Sequence, residues 1–384
     1  MRRETPARLN LFCPTLYTDG GHERGYTAGL TKALAAQGVT THILYPDSAP
    51  DLFEANATRI KLPRIWHAAS SSLAQRLRSR MSQTHRARGF AHAFGAAEKT
   101  DVTFIHSAGF ADMALAGEIA AKTKRKACLL LRFDHYDVAE AMHIVVTLAN
   151  NPWVTLVTDS EELAESFGQL TGTHLLVLPP PTNFCRIGPI AKHTPLRLAY
   201  LGGARRSKGF HRLPQIMSRL LPLIPNTEVF VQAYRHADDG PDPVIDDAEA
   251  ALRTLPQVTL ERNVAAQETY QNWLASLDGI ILPYDPFTYR AVSSGIFVEA
   301  MASGLYALVP KGTWMSFEAE RNGLSRALAL DFESDCSLTN AAKILSGVGY
   351  TCPSTDVWAA AHSYESLATG LLEHLRIARQ ASPF

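Results

Sequence analysis

The sequence lacks several patterns that mark common classes of protein. Its five cysteines are scattered and form no C-x-x-C pair, which argues against a zinc site or a disulfide framework and favours a reducing compartment. No apolar run approaches the roughly 18 residues of a membrane span. The N-terminal segment, MRRETPARLNLFCP, has no apolar core long enough for a signal peptide. These absences predict a cytoplasmic protein.

An excess of charge of one sign is also missing. The 37 Lys and Arg residues are balanced by 37 Asp and Glu residues, so no overall field attracts nucleic acid. Apolar residues make up 46% of the 384 residues, which suits ordinary globular packing, and this length favours more than one core. We therefore expect two domains and no nucleic-acid partner.

Short apolar runs alternate with stretches of helical length along the chain. Strands are predicted at 9–12, 39–46, 102–106, 127–133, 153–159, 174–179, 196–203, 227–234, 257–261, 278–284 and 306–310. A first helix is predicted at 26–37, where Gly38 ends it. Such alternation predicts parallel sheets that are covered by helices on both faces.

The segment LPPPTNFC, residues 178–185, interrupts this alternation. Three consecutive prolines can neither continue a helix nor sit inside a sheet, so the segment is predicted to be a linker. We predict an N-terminal Rossmann-like domain over 1–180 and a C-terminal one over 181–355. A last helix at about 356–380 is a candidate to pack back on the first domain. In doubly wound domains, ligands bind beyond the carboxyl ends of the strands.

Two glycine-rich turns follow predicted strands. In TDGGHERG (18–25), Gly20 and Gly21 let the backbone approach a ligand, and the next helix offers its amides to an anion, although a flexible loop fits equally well. In LGGARRSKGF (201–210), Arg205, Arg206 and Lys208 lie between glycines. Three cations on one turn suit a diphosphate, and a solvated basic turn is the alternative.

A third turn opens the segment SSGIFVEAMASG (293–304), where Ser294 and Gly295 stand at the start of a predicted helix. Serine is a good N-cap, and the first amides of a helix bind phosphate. Glu299 lies about one turn further, where its carboxylate is placed to accept hydrogen bonds from two ribose hydroxyls. A structural acid that favours the positive helix end is the alternative.

These motifs and their order resemble the retaining glycosyltransferases of the GT-B fold, in the large family 4 group (glycosyl transferases group 1). The resemblance covers nearly the whole chain and includes GGHERGYTAGLTKALAAQGVTTHILYP, LAYLGGARRSKGF and VTLERNVAAQETYQNWLASLDGIILPY, besides the 293–304 motif. It implies two Rossmann-like domains that face each other across a cleft. It also implies a hexosyltransferase of polysaccharide biosynthesis, which moves a sugar from a nucleotide-diphosphate sugar to a glycan or lipid-linked acceptor, with retention and without metal or other cofactor.

The resemblance also assigns roles to residues of the donor site. Lys208 would neutralise the donor diphosphate, and Glu299 would bind the ribose. The remaining donor contacts it implies are Gly20, Gly21, Gly203, Arg205, Arg206, Ser294, Gly295, Ile296 and Phe297. Of these, Arg205 or Arg206 would replace a family arginine whose position falls near Gly202 or Gly203.

Other positions depart from the family pattern. Ala291 stands where the family has a glutamate that contacts the donor sugar, and Tyr289 and Arg290 beside it are candidates for acceptor or sugar contacts. Asp134 falls on a family histidine, with His135 next to it, and either is a candidate for contact with the transferred sugar. His106 follows a predicted strand, where the family often has a histidine. A packed, hydrogen-bonded histidine is equally compatible with that position.

A cationic segment without acidic residues extends from 55 to 97 and carries eight Arg and Lys residues. Within it, Leu73, Leu77 and Met81 recur every four residues beside Arg76 and Arg80. This amphipathic helix, at 73–88, is compatible with an anionic membrane surface, which would make the enzyme peripheral on the inner face of the membrane. A lipid-diphosphate or anionic glycan acceptor, or an ordinary helix with its apolar stripe on the core, fits as well.

Three readings of function remain from the sequence. A glycosyltransferase is favoured, and a non-catalytic nucleotide- or glycan-binding homologue of the same fold is motivated by Ala291 and Gly203. A two-lobed solute-binding protein is disfavoured by the missing export signal and the clustered cations. The acidic segment HADDGPD (236–242) is predicted to be a solvated loop rather than a metal site.

Overall fold

The computed structural model describes residues 8–17, 22–53, 56–63, 73–96, 101–132, 138–184, 193–235, 240–263, 267–347 and 356–375. The chain divides into two compact units. Unit 1 comprises the described residues of Met1–Pro179 and Tyr364–Phe384, and unit 2 comprises those of Pro180–Ser363. The chain therefore passes between the units twice, after Pro179 and after Ser363.

Unit 1 is built on a parallel sheet with the strand order β3-β2-β1-β4-β5-β6-β7. Its strands are β1 (Arg8–Phe12), β2 (Thr40–Pro46), β3 (Ala57–Ile60), β4 (Val102–Ile105), β5 (Lys126–Leu131), β6 (Val154–Thr158) and β7 (Leu176–Val177). Its helices are α1 (His22–Ala36), α2 (Leu73–Gly95), α3 (Phe110–Thr123), α4 (Val138–Ala149), α5 (Glu161–Thr171) and, at the far end of the chain, α13 (Tyr364–Leu375). The strand order reverses between β1 and β4, which is the topological switch point where such sheets bind ligands.

Unit 2 repeats this plan with a parallel sheet in the order β10-β9-β8-β11-β12-β13. Its strands are β8 (Leu196–Tyr200), β9 (Thr227–Gln232), β10 (Val258–Glu261), β11 (Gly279–Ile281), β12 (Tyr306–Pro310) and β13 (Ala327–Leu330). Its helices are α6 (Leu213–Leu220), α7 (Pro243–Arg253), α8 (Gln267–Ala275), α9 (Gly295–Ala302), α10 (Trp314–Asn322), α11 (Asp335–Ser346) and α12 (Asp356–Ala361). Its switch point lies between β8 and β11.

The predicted doubly wound α/β architecture is confirmed, because apolar runs such as VTFI in β4 lie buried at every position. Two strands were not predicted. β3 reads ATRI and β13 reads ALAL, and both lie at a sheet edge with only part of their side chains buried. A four-residue run that is covered on one side only has no periodic signal to separate it from a loop.

The predicted helix at 356–380 is interrupted and serves both units. α12 belongs to unit 2, where the Trp358 and Phe297 ring centroids lie 6.3 Å apart. α13 belongs to unit 1 and packs on α1, with the Tyr364 and Tyr26 rings 5.9 Å apart. A Cβ at Gly29 of α1 would lie 2.6 Å from the Tyr364 ring, so glycine permits this contact. Residues 376–380 lie outside the described part of the chain.

Within unit 2, His362 binds the backbone near Pro180, where the chain first passes from unit 1 to unit 2. It also directly precedes Ser363, after which the chain returns to unit 1. Its carbonyl oxygen accepts the Thr182 N–H at 2.7 Å, and its Nδ1 lies 2.9 Å from the Pro180 carbonyl oxygen. On its other side, Nε2 lies 3.6 Å from Oε1 of the buried Glu318, which also accepts the Trp358 Nε1–H at 2.8 Å. His362 therefore fixes the Pro180 and Ser363 segments to the same core.

The cationic segment contains α2, and the structure places one of its arginines inside unit 1. Arg86 is buried and forms a two-pronged ion pair with the buried Asp112 of α3. The same guanidinium donates to Tyr17 Oη at 2.6 Å and to the Pro14 carbonyl at 3.1 Å. Arg86 is thus not available to a basic surface over 73–88, because its charge is buried and paired with Asp112. The side chains of 73–82 lie outside the described residues.

Candidate functional site

The switch point of unit 2 brings two turns together. The glycine turn, Gly202–Gly209, follows β8, and the segment Leu282–Arg290 follows β11. The two turns are joined directly, because the Asp285 N–H donates to the Ser207 carbonyl at 2.9 Å. These turns and the start of α9 are here called the unit 2 site.

The glycine turn depends on backbone conformations that favour glycine. Gly202 has φ 110°, and its N–H donates to Gln232 Oε1 at 2.8 Å. Gly209 has φ 68°, and a Cβ there would lie 1.8 Å from the Pro283 carbonyl oxygen. A Cβ at Gly202 would lie 3.1 Å from Lys208 Nζ, so the bare backbone leaves the ammonium room. The turn therefore carries a cation beside a backbone that has no side chain at Gly202.

Lys208 is partly buried in this turn, and its ammonium lies 5.7 Å from the centre of the Tyr284 ring. Burial lowers the pKa of Lys208 to about 8, and the nearby Arg205 charge adds to the effect while Glu299 opposes it. A cation whose charged form is disfavoured gains most from an incoming anion. Lys208 is therefore a candidate to bind a phosphate group.

Glu299 lies in α9 and shares this environment with Lys208. Burial raises the pKa of Glu299 to about 7, against the Tyr270 hydrogen bond and the Lys208 charge, which both lower it. Tyr270 Oη of α8 donates to Glu299 Oε2 at 2.6 Å. Tyr270 therefore holds one carboxylate oxygen, and among the described residues no side chain or backbone group donates to the other, Oε1.

The start of α9 lies against the glycine turn. Ser294 is the N-cap, and its Oγ accepts the Phe297 N–H at 3.3 Å while its carbonyl accepts the Val298 N–H at 3.1 Å. The two preceding amides, of Gly295 and Ile296, come before the first bonds of the helix. Gly295 is exposed, and no atom lies within 4 Å of a Cβ built there, so the start of the helix is open on this side. The first amides of a helix are a common site for an anion.

The two arginines of the turn differ in their partners. Arg206 is exposed and forms a two-pronged ion pair with Asp242, the N-cap of α7, at 2.6 and 2.7 Å. This pair lowers the pKa of Asp242 to about 2. Arg205 lies close enough to Lys208 and Tyr289 to affect both: its charge adds to the burial that lowers the pKa of Lys208, and it opposes the burial that raises the pKa of Tyr289. Of the two candidates, Arg205 is therefore the one with an electrostatic influence on Lys208 and Tyr289.

Tyr289 and Arg290 belong to the turn after β11. The Tyr289 ring packs against Tyr284 with centroids 4.4 Å apart, and burial raises its pKa to about 12. Arg290 is exposed, whereas Ala291 is buried. The position of the family glutamate thus carries no polar side chain.

His106 lies at the switch point of unit 1 but inside the core. Its Nε2 is 3.0 Å from Thr27 Oγ1 and 3.3 Å from Cys13 Sγ, and its ring stacks on Tyr26 at 4.4 Å. It has no solvent-exposed surface. The sequence was compatible with either a packed, hydrogen-bonded histidine or a ligand-facing one, and the structure shows the packed one.

Four predicted site residues, Asp134, His135, Gly20 and Gly21, lie outside the described residues. Arg132, which precedes the first pair, follows β5, with its Nε 3.0 Å from Asp159 Oδ2 and its guanidinium over the Tyr26 ring.

Three contacts at the switch points have no signal in the sequence. Tyr270 reaches Glu299 from another helix, and Tyr284 approaches Lys208 from a neighbouring strand end. In unit 1, Glu23 Oε1 accepts hydrogen bonds from Ser107 Oγ at 2.7 Å and Thr15 Oγ1 at 2.9 Å. Each contact joins elements that only the strand order brings together.

In the part of the chain that is described, no group of three His, Cys, Asp or Glu side chains is placed to hold a metal ion. Among the described helices, none has the length and apolar character to cross a bilayer. Metal independence and membrane association remain predictions.

No protein-family model matches the chain, and no curated protein matches its sequence. Solved structures match over almost its whole length. Sucrose-phosphate synthase from Thermosynechococcus elongatus is 14% identical with a TM-score of 0.62, covering 96% of this chain and 94% of that one. An α,α-trehalose-phosphate synthase (UDP-forming) from Burkholderia xenovorans, in complex with glucose-6-phosphate, is 11% identical with a TM-score of 0.66, covering 96% and 100%. WaaG, a glycosyltransferase involved in lipopolysaccharide biosynthesis, is 13% identical with a TM-score of 0.57, covering 96% and 95%.

These matches are glycosyltransferases of the GT-B fold, and at such identities they establish architecture rather than activity. The fold that the sequence motifs predicted is confirmed. The chain has the two-domain GT-B fold.

Proposed function

We propose that the protein is a glycosyltransferase that takes its sugar from a nucleotide-diphosphate sugar bound at the unit 2 site. The observation that carries the proposal is the placement of Lys208. Its ammonium lies beside the bare backbone of Gly202, and the side chain of Ile296, at the start of α9, touches the same glycine. A cation and helix amides at one switch point form a site for a diphosphate.

The proposed mechanism assigns each group one task. Lys208, Arg205 and the Gly295 and Ile296 amides bind the diphosphate and stabilise the negative charge that develops when the sugar leaves. Glu299 Oε1 accepts hydrogen bonds from the ribose while Tyr270 fixes the carboxylate. Partial burial strengthens these interactions, because less water competes for the charges. We propose a hexosyl transfer with retention, on one face of the sugar and without a metal ion.

For the acceptor we propose a chemical class rather than one compound. The similar structures include a UDP-forming enzyme in complex with glucose-6-phosphate and an enzyme of lipopolysaccharide biosynthesis. They support a sugar or glycan acceptor, and we propose a glycan or lipid-linked acceptor in polysaccharide biosynthesis. A cytoplasmic protein that is peripheral on an anionic membrane, through the cationic segment that contains α2, would fit such an acceptor.

Thermal unfolding with GDP, UDP, ADP, dTDP and CMP, each with and without magnesium, tests the proposal. At 100 times its dissociation constant a ligand adds about 2.7 kcal/mol to the free energy of unfolding, which raises the melting temperature measurably. We expect one nucleoside diphosphate to stabilise the protein equally with and without magnesium. Stabilisation by none of them would contradict the proposal and favour a non-catalytic glycan-binding homologue.

Replacing Glu299 by alanine should weaken binding of that nucleotide about tenfold to a hundredfold, since hydrogen bonds to a charged group are lost. Isothermal titration calorimetry measures the change. Glu320→Ala, an exposed acid on α10, is the matched control and should leave affinity unchanged. If Glu299→Ala bound as tightly as Glu320→Ala, the ribose role would be wrong.

A further inference from the structure

The turn from Asp285 to Arg290 borders the unit 2 site and contains two side chains that the proposed donor contacts do not use. These are Phe287 and Arg290. The turn is tied to the glycine turn through the Asp285 N–H and Ser207 carbonyl, and to α10 because the Trp314 N–H donates to the Tyr289 carbonyl at 2.8 Å. The turn that carries these two side chains is therefore joined directly to the glycine turn that carries Lys208 and Arg205.

The backbone of this turn is held by its own hydrogen bonds. Asp285 Oδ2 accepts from the Thr288 N–H at 2.7 Å and from Thr288 Oγ1 at 2.6 Å. The Tyr289 N–H donates to the Asp285 carbonyl at 2.9 Å. The turn is thus ordered before a ligand arrives, which lowers the entropic cost of binding to it.

Phe287 stands at the tip of the turn with 87% of its surface exposed. Its aromatic neighbours in the same segment, Tyr284 and Tyr289, instead pack on each other. A phenylalanine fixed in solvent adds no packing to the fold. It offers a flat apolar face, which suits the apolar face of a sugar ring.

Arg290 is exposed and forms no hydrogen bond or ion pair with any described residue. The carboxylates of this region are already engaged, Asp285 with Thr288 and Glu299 with Tyr270. The diphosphate contacts are provided for by Lys208, Arg205 and the α9 amides. The Arg290 guanidinium therefore suits a further anionic group, with the paired donors that a carboxylate or phosphate accepts.

We propose that Phe287 and Arg290 form a subsite for an anionic sugar, with the ring on Phe287 and its carboxylate or phosphate on Arg290. The inference rests on the proposed function and narrows its substrate class. Two sources supply this chemistry. One is a hexuronic acid carried by the nucleotide donor, and the other is a sugar phosphate that serves as acceptor or as part of one.

The test compares wild type with Phe287→Ala, Arg290→Gln and Arg290→Lys by calorimetric titration. The donor probes are the hexosyl and hexuronosyl esters of the nucleoside diphosphate that stabilises the protein most, such as UDP-glucose and UDP-glucuronate. The acceptor probes are glucose 6-phosphate and glucose. The controls are Val357→Ala, which removes an apolar side chain that is also 87% exposed, and Lys343→Gln, which removes an exposed cation on α11.

We expect one anionic probe to bind wild type at least tenfold more tightly than its neutral counterpart. Arg290→Gln should remove that preference, Arg290→Lys should keep part of it, and Phe287→Ala should weaken the anionic probe by about threefold or more. Preference for the hexuronosyl ester identifies the donor as the source, and preference for glucose 6-phosphate identifies the acceptor.

Equal binding of anionic and neutral probes, or a preference that survives Arg290→Gln, overturns the subsite. The nucleoside diphosphate itself separates this outcome from failure of the proposed function. If wild type binds the diphosphate but shows no anionic preference, only the subsite is wrong. If it binds no diphosphate, the donor proposal is wrong and the glucose 6-phosphate comparison still decides the subsite.

Discussion

Replacing Lys208 by methionine should lower turnover with a nucleotide sugar by about a hundredfold to a thousandfold, the usual effect of removing one stabilising group from a developing negative charge. Methionine keeps most of the apolar stem and removes the ammonium, so the glycine turn should retain its shape. The measurement is initial-rate kinetics together with the melting temperature. A loss under about tenfold would make Lys208 peripheral to the reaction.

The pH dependence of nucleotide affinity separates this role from a merely structural one. The pKa of Lys208 is about 8 in the free protein, because burial and Arg205 disfavour the charged form. A bound diphosphate favours the charged form and raises that pKa, so affinity should be full below pH 8 and fall as pH rises above it. We expect about tenfold weaker binding at pH 9 than at pH 7 in wild type, and no such fall in Lys208→Met. An unchanged pH profile in the variant would assign the dependence to another group.

Replacing Asp112 by alanine should destabilise the protein by about 3–5 kcal/mol, since it leaves the Arg86 guanidinium charged, buried and without its carboxylate. The midpoint of urea unfolding measures the loss. Asp51→Ala is the matched control, because Asp51 pairs with Arg59 at 3.3 Å in an exposed ion pair, which contributes about 0–1 kcal/mol.

The double variant Arg86→Met, Asp112→Leu shows which cost dominates. If the loss in Asp112→Ala comes from the stranded charge, two apolar side chains of similar volume should restore much of the stability. Equal loss in Asp112→Ala and Asp51→Ala would instead show that the buried pair contributes little. Arg86 also donates to the Pro14 carbonyl and to Tyr17 Oη, so this pair fixes the segment that follows β1.

Parallel sheets and the type of most elements could be predicted because the inner strands are mostly apolar, whereas the order of the strands within each sheet was not predicted. Runs such as VTFI and KACLLL are covered on both faces, and their apolar composition predicts this burial. The edge strands β3 and β13 escaped prediction because both are short and only partly buried, and ALAL of β13 carries no β-branched or aromatic residue. The break between α12 and α13 was missed because both halves carry a helical apolar pattern, and only the division of the chain assigns them to different units.

Candidate site residues could be named from the sequence where a single turn or helix start carries the signal. Lys208, Ser294 and Glu299 were named because glycines, a cap and an acid stand in fixed local order, and their roles remain predictions. Residues of other elements that contact these candidates could not be predicted. Tyr270 lies 29 positions from Glu299 in the sequence and contacts it only after α8 and α9 pack. The engagement of Arg206 by Asp242 was equally hidden, since an exposed cation in the sequence does not reveal its partner. For His106 the sequence could not decide, because its pattern fitted a packed histidine and a ligand-facing histidine equally well.

The return of α13 to unit 1 has a consequence for synthesis on the ribosome. Tyr364, Leu367 and Leu371 of α13 belong to the same buried cluster as Tyr26 and Leu30. Unit 1 therefore cannot complete its core until roughly 180 residues of unit 2 have been translated, which takes about 10 to 40 seconds at ~5–20 residues per second. During that interval unit 2, which is continuous in sequence, can fold first. The nascent chain would then expose the α1 face of unit 1, which makes this face the expected binding site for a chaperone during translation.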